Sequence, residues 1–215
     1  MNYERIYEYR FKNVDQRARA AVWREISTYL CARLGHPATF LDPAAGRGEF
    51  INAATASERW AVDVMDGRAD MDPGVRFLRG DIMAVDLPRD HFDGALVSNF
   101  LEHLPTPLAI GQFLARMRTL LRPGGRIAVM GPNFRYCARE YFDCADHILA
   151  LTQLAVEEHL YGAGFEILAS HAQFLPYSFR QRLPPLPWLV RGYLRMPLAW
   201  RIFGSQFLVI GRRSE

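Results

Sequence analysis

The chain has 215 residues, half of them apolar and 23% charged, with a formal net charge of +3. That balance suits one folded domain with a core and excludes a disordered chain. No block of like charge marks a nucleic-acid arm, so no nucleic-acid partner is expected, and no apolar run approaches the roughly 18 residues of a membrane span.

Lys12 is the one lysine among 26 basic residues, a bias that a GC-rich genome produces. The first residues hold no apolar leader core. Cys31, Cys137 and Cys144 are odd in number and lack zinc-type spacing. The sequence therefore predicts a reducing, cytoplasmic setting and no metal.

Residues 1–14 are polar and aromatic and precede the first regular element in this reading. Asp15 is placed to cap a helix whose apolar stripe is Ala18, Val22, Ile26, Leu30 and Leu34, ended by Gly35. A short strand over 39–41 ends at Asp42, and a helix is predicted over 48–57. Further strands are predicted at 60–64, 75–79, 92–98 and 126–130. Thr106-Pro107 opens a helix that runs to the turn Arg122-Pro123-Gly124-Gly125. A helix near 152–161 and strands at 165–169 and 206–210 complete the pattern. Strands alternating with helices mean βαβ units and a mostly parallel, doubly covered sheet.

The domain reading is a single unit over 1–215. Within it, 1–35 supplies an N-terminal lip and helix. The Pro-, Arg- and aromatic-rich stretch 175–204 is an insertion, with too little apolar periodicity for a core of its own.

Ligands of open parallel sheets bind at the carboxyl ends of the strands. Asp42-Pro-Ala-Ala-Gly46-Arg-Gly48 follows the first strand, and its glycines allow a tight bend and close approach to a ligand. Asp63 ends the second strand, where a carboxylate can accept ribose hydroxyls. Asp81 ends the third. Three acids at successive strand ends suit a nucleoside that carries a cation and no phosphate.

The stretch 38–131 resembles the core of the class I S-adenosylmethionine-dependent methyltransferases. The likeness rests on Leu41-Asp-Pro-Ala-Ala-Gly-Arg-Gly48, Asp63, Gly80-Asp81-Ile82, Ser98-Asn-Phe-Leu-Glu-His-Leu104 and Leu120-Leu-Arg-Pro-Gly-Gly-Arg-Ile127, in that order. One position departs: Ala44 stands where the family usually has Gly. The resemblance implies a Rossmann-like three-layer αβα sandwich with a seven-stranded sheet whose last strand is antiparallel. It implies S-adenosylmethionine as cofactor, held by Asp42, Ala44, Gly46, Gly48, Asp63, Val64, Asp81, Ile82, Asn99, Phe100 and His103.

Methyl transfer from a sulfonium mainly requires alignment of the acceptor, with a base for some O or N acceptors. His147 beside Asp146, His103 after the fourth strand and Asn133 after the fifth are the candidates for catalysis. Tyr9, Arg10, Tyr136, Arg180 and Arg182 are candidates for the acceptor site. Between Ile167 and Ser214 there are seven arginines and no acid. This predicts an anionic or amphipathic small-molecule acceptor, with peripheral membrane or lipid contact through 175–204 as a further option.

Two rival readings stay open. One is a catalytically inactive cofactor-binding protein that docks a partner or a membrane surface. The other is an NAD-type oxidoreductase, disfavoured because Ile51 stands where the dinucleotide fingerprint needs its third glycine.

Overall fold

The computed structural model describes residues 3–12, 14–177 and 186–215. Its helices are α1 (Tyr3–Phe11), α2 (Gln16–Arg33), α3 (Glu49–Ala53), α4 (Pro107–Leu120), α5 (Phe134–Tyr141), α6 (Gln153–Gly162), α7 (Pro187–Leu194) and α8 (Pro197–Phe203). Its strands are β1 (Thr39–Asp42), β2 (Glu58–Asp63), β3 (Val75–Arg79), β4 (Phe92–Ser98), β5 (Leu121–Pro132), β6 (Phe165–His171) and β7 (Gln206–Arg213). They form one sheet of seven in the order β3-β2-β1-β4-β5-β7-β6. The pairs from β3 to β5 are parallel, and β7 runs antiparallel to both its neighbours. This is the Rossmann-like sheet with an antiparallel last strand that the sequence implied.

Successive strand residues point to opposite faces, so each strand feeds two cores. Leu41, Val62, Val97, Val129 and Val209 pack with α4 and α6 on one side. Phe40, Ala61, Leu96, Ala128 and Leu208 pack with α2 and α3 on the other. Strands buried on both faces read as continuous apolar runs, as Ala95-Leu-Val97 and Phe207-Leu-Val-Ile210 do.

Local signals set the helix starts. Asp15 accepts the N–H groups of Arg17 and Ala18, and Thr106 accepts that of Ala109 with Pro107 in the first turn.

Three expectations need correction. Residues 3–11 are helical, because Tyr7, Arg10 and Phe11 lie on one helical face and dock against the strand ends. The helix after the glycine bend is shorter than expected, spanning Glu49–Ala53, since Ala54 turns extended at φ −67° and ψ 135°. Residues 122–125 form a bulge inside β5 rather than a separate turn. Leu121 pairs with Phe92 and Arg126 with Gly94, and the loop between them is expelled.

The described part of the stretch 175–204 contains the helices α7 and α8. Leu194 and Trp200 are 4% and 3% exposed and join the α2 core, where Tyr29 stacks on Phe174 and meets Trp200 edge-on. Burial of side chains this large contributes about 1.5–3 kcal/mol each. A bidentate Arg191–Glu25 pair ties α7 to α2. These contacts make α7 and α8 part of a helical layer.

Candidate active site

Strand order reverses between β1 and β4, and a cavity of about 350 Å³ opens at the carboxyl ends of these strands. Its floor is the bend after β1. Gly46 has φ +54°, and a Cβ built there meets no atom within 4 Å, so this backbone faces open space. Asp63 braces the bend: Oδ2 accepts the Gly46 N–H at 2.7 Å and Oδ1 the Met65 N–H at 2.9 Å. The Ala45 N–H adds a bond to the Val62 carbonyl at 3.0 Å.

Asp42 is 5% exposed, and burial pushes its carboxyl from 3.8 up to about 8 against the opposing effect of the Ala44 N–H. The charges of Asp63 and Glu49 push the same way. A buried carboxyl in that state gains from a cationic partner. Asp81 accepts the Met83 N–H at 2.9 Å beside the buried Ile82. Asn99 takes a left-handed φ of +49°, and Phe100 packs on Phe113 with ring centres 4.9 Å apart.

The opposite end is built by α1, by the 3-10 turn Leu101–His103, and by the loop between α5 and α6. Arg10 of α1 forms an ion pair with Asp146 of that loop. His103 Nδ1 lies 2.8 Å from the Asp146 carbonyl. Its ring meets that of His147 at 5.0 Å between centres, and His147 in turn meets Tyr141 at 4.8 Å.

Glu102 is 1% exposed, and among the described residues its Oε1 has no hydrogen-bond partner, nor has Nδ1 of His147. Burial raises the Glu102 carboxyl to about 7 and lowers the His147 imidazole to about 4. Burial likewise raises the Tyr7 phenol to about 12. Tyr177 and Cys144 bond to one another at 3.3 Å at this end.

The cavity brings together Asp42, Ala44, Gly46, Asp63, Val64, Asp81, Ile82, Asn99, Phe100 and His103, with Arg10 and His147 at the far end. Four of the expected residues lie elsewhere. Gly48 caps α3 at φ +71°, and a Cβ there would sit 2.5 Å from Met71 Sδ. Asn133 is fully buried below the site. Its Oδ1 caps α5 through the Arg135 N–H, and its Nδ2 donates to Gln153 Oε1 and to the Ala172 carbonyl. Tyr9 is 73% exposed with Lys12 over its ring, and neither it nor the exposed Tyr136 lines the cavity. Arg180 and Arg182 lie outside the described residues.

Asp146 was paired with His147 on sequence adjacency, yet it contacts His103 and Arg10. Glu102 escaped the sequence reading. Its one signal was an acid next to His103, and such a residue also reads as a solvated turn position.

A Rossmann-like sheet with acids at three successive strand ends around a glycine bend is the architecture of a nucleoside-binding α/β domain. Residues 41–129 match the family described as a methyltransferase domain. A search of curated protein sequences finds no match. Among solved structures, the chain is similar to a SAM-dependent methyltransferase from Archaeoglobus fulgidus, at 19% identity and TM-score 0.68 over 99% of this chain and 100% of that one. It is also similar to the 1,6-didemethyltoxoflavin-N1-methyltransferase of Burkholderia thailandensis, solved with S-adenosylhomocysteine, at 26% identity and TM-score 0.59 over 99% and 89% of the two chains. A third likeness is to the methyltransferase in complex with the Trm112 activator from Haloferax volcanii, at 17% identity and TM-score 0.69 over 98% and 96%.

The domain match and the relative solved with S-adenosylhomocysteine support a class I S-adenosylmethionine-dependent methyltransferase. The NAD-type alternative falls with this, and Ile51, at the place of the third glycine, is fully buried. The donor set fits the cofactor: a bare glycine backbone at Gly46, a buried carboxyl awaiting a cation at Asp42, and carboxylates at Asp63 and Asp81. The described helices include none long and apolar enough to cross a membrane.

Proposed function

We propose that the enzyme methylates an O or N atom of a small molecule that enters the cavity between α1 and the α5–α6 loop. The observation that carries this reading is a cavity of about 350 Å³ at the strand ends, the size of a small-molecule site, whose lining joins the glycine bend to Glu102, His103 and His147.

In this reading Asp42 and the Gly46 backbone would hold the amino-acid end of the cofactor, Asp63 the ribose, and Asp81 with Ile82 the adenine. Val64, Asn99 and Phe100 wall the nucleoside half. S-adenosylmethionine supplies the activated methyl group. The protein's own task is to hold the acceptor atom in line with it. Glu102 Oε1 and His147 Nδ1 are two proton-accepting atoms at that end that are buried without a hydrogen-bond partner. His103, locked on the Asp146 carbonyl, positions the acceptor beside them. Arg10 pairs with Asp146 and Arg19 with Glu49, and Arg47, over the Phe11 ring, lines the same cavity.

The test is incubation with S-adenosylmethionine and a panel of low-mass alcohols, phenols and amines, read by mass spectrometry. Gain of one methyl group by a panel member is the expected result. Cofactor binding with methylation of nucleic acid or protein alone would overturn the reading.

A second feature supports shallow lipid contact. Leu198 and Ile202, four apart on α8, are 74% and 73% exposed, and Trp188 on α7 is 69% exposed. Arg195 and Arg201 lie exposed on the same pair of elements. Apolar side chains among arginines suit an anionic membrane surface. Co-sedimentation with phosphatidylglycerol vesicles, lost in a Trp188→Ser, Leu198→Ser variant, is the expected outcome. No sedimentation of the intact chain would remove the proposal.

A further inference from the structure

The acceptor end holds more ligand-type chemistry than methyl transfer by alignment needs. Glu102, His103 and His147 each offer one atom within 4.8 Å of the others. Cys144, Asp146 and His147 form a second such trio. The two trios share His147 and border one cavity.

Three further observations point to a ligand. Glu102 is 1% exposed with Oε1 unpartnered, and a buried carboxylate oxygen without a partner needs an explanation. His103 points Nδ1 at the Asp146 carbonyl at 2.8 Å. A carbonyl only accepts, so Nδ1 carries the proton and Nε2 keeps its lone pair. His147 is held edge-on against the Tyr141 ring at 4.8 Å between centres and leaves Nδ1 unpartnered. His103 thus has one nitrogen anchored on the main chain, as metal-bound histidines do, where the outer hydrogen bond fixes tautomer and ring orientation. Arg10 in turn fixes Asp146.

We propose that Glu102, His103 and His147 form a site for a divalent first-row transition-metal ion at the acceptor end of the cavity. Two imidazoles and one carboxylate favour such an ion over Mg²⁺ or Ca²⁺, which prefer all-oxygen shells. Three protein ligands leave coordination positions open towards the cavity. The ion's role there rests on the methyltransferase reading above. It would take the acceptor's O or N atom as a further ligand and lower that atom's pKa, the proton passing to solvent. The ligands come from the 3-10 turn and from the α5–α6 loop, so no sequence motif announces them.

The experiment dialyses the full chain against EDTA and titrates it with Co²⁺ alone, reading the visible d–d absorption. S-adenosylhomocysteine binding is measured in parallel by calorimetry. Saturation at a single equivalent is expected, as are hyperfine-shifted, exchangeable imidazole N–H signals from both rings in the proton NMR spectrum of the intact chain. Glu102→Gln and His147→Gln should each weaken Co²⁺ binding by at least ~10-fold, the scale on which metal sites lose affinity when their ligand shell is disturbed.

No saturable absorption from the intact chain would overturn the proposal. So would saturable binding that lacks the shifted imidazole signals. If S-adenosylhomocysteine binds and Co²⁺ does not, the metal site falls and the methyltransferase stands. If Co²⁺ binds and no small acceptor is methylated, the acceptor assignment falls and the metal site stands.

Discussion

Asp63 Oδ2 accepts the Gly46 N–H at 2.7 Å, so the end of the second strand holds the bend that follows the first. One carboxylate thereby shapes the floor of the cavity while offering its remaining lone pairs to a ligand. The pairing explains why two residues 17 positions apart act as one feature.

Asp63→Asn keeps the size of the side chain and removes its charge. Cofactor affinity should fall by roughly 1.5–3 kcal/mol, the scale of a hydrogen bond to a charged group. Calorimetry with S-adenosylhomocysteine measures it. Unchanged affinity would take Asp63 out of the site.

The two glycines of the bend should fail differently. Gly46→Ala adds a methyl group in open cavity and costs about 1–2 kcal/mol for its left-handed backbone. It should lower cofactor affinity and leave the chain folded. Gly48→Ala drives a Cβ into Met71 Sδ, and its φ of +71° adds strain. Its larger loss should appear in thermal unfolding. Equal effects of the two variants on both readouts would contradict this division.

Asp42 makes both stability and binding depend on pH. Its folded-state pKa of about 8 lies above the ordinary 3.8. Below pH 3.8 both folded and unfolded states keep the proton. Between about 4 and 8 the unfolded state ionises first, so this group's contribution to stability falls as pH rises and levels off above 8. A cationic ligand favours the ionised form, so cofactor binding near pH 7 should release a proton. Calorimetry in buffers of different ionisation enthalpy would detect it, and heats independent of buffer would refute it. Asp42→Asn should raise the stability of the free protein at pH 8 and weaken cofactor binding.

Asn133 was a candidate for catalysis, and its surroundings are structural. Asn133→Ala removes a cap and strands the Gln153 side chain and the Ala172 carbonyl in the interior. A stability loss of about 2 kcal/mol or more is expected, from cap and buried hydrogen bonds together. Cofactor affinity in the folded fraction should stay within twofold. A turnover loss in a fully stable variant would restore its catalytic role.

Much of the fold was legible because its signals are local. Ala95-Leu-Val97 reads as a strand buried on both faces. Thr106-Pro107 announces a helix start, and Asp42, Asp63 and Asp81 sit where strands stop. Other parts were illegible because their reasons are distant. Tyr7, Arg10 and Phe11 become a helical face only once the strand ends give them something to dock on. The Pro-rich insertion lacks a periodic stripe of its own and takes its order from Tyr29 and Glu25 of α2.

The chain's letters alone determined the order of the strands and of the helices α2, α3, α4 and α6, the glycine bend and the acids beside it, since each depends on backbone preference or on neighbours a few residues away. Tertiary structure alone decided which groups share the acceptor end. Adjacency suggested His147 with Asp146, yet folding gives Asp146 to Arg10 and His103 and leaves Glu102 buried beside the rings of His103 and His147. Such pairings depend on where loops far apart in sequence meet after the sheet has formed. No local preference encodes that meeting.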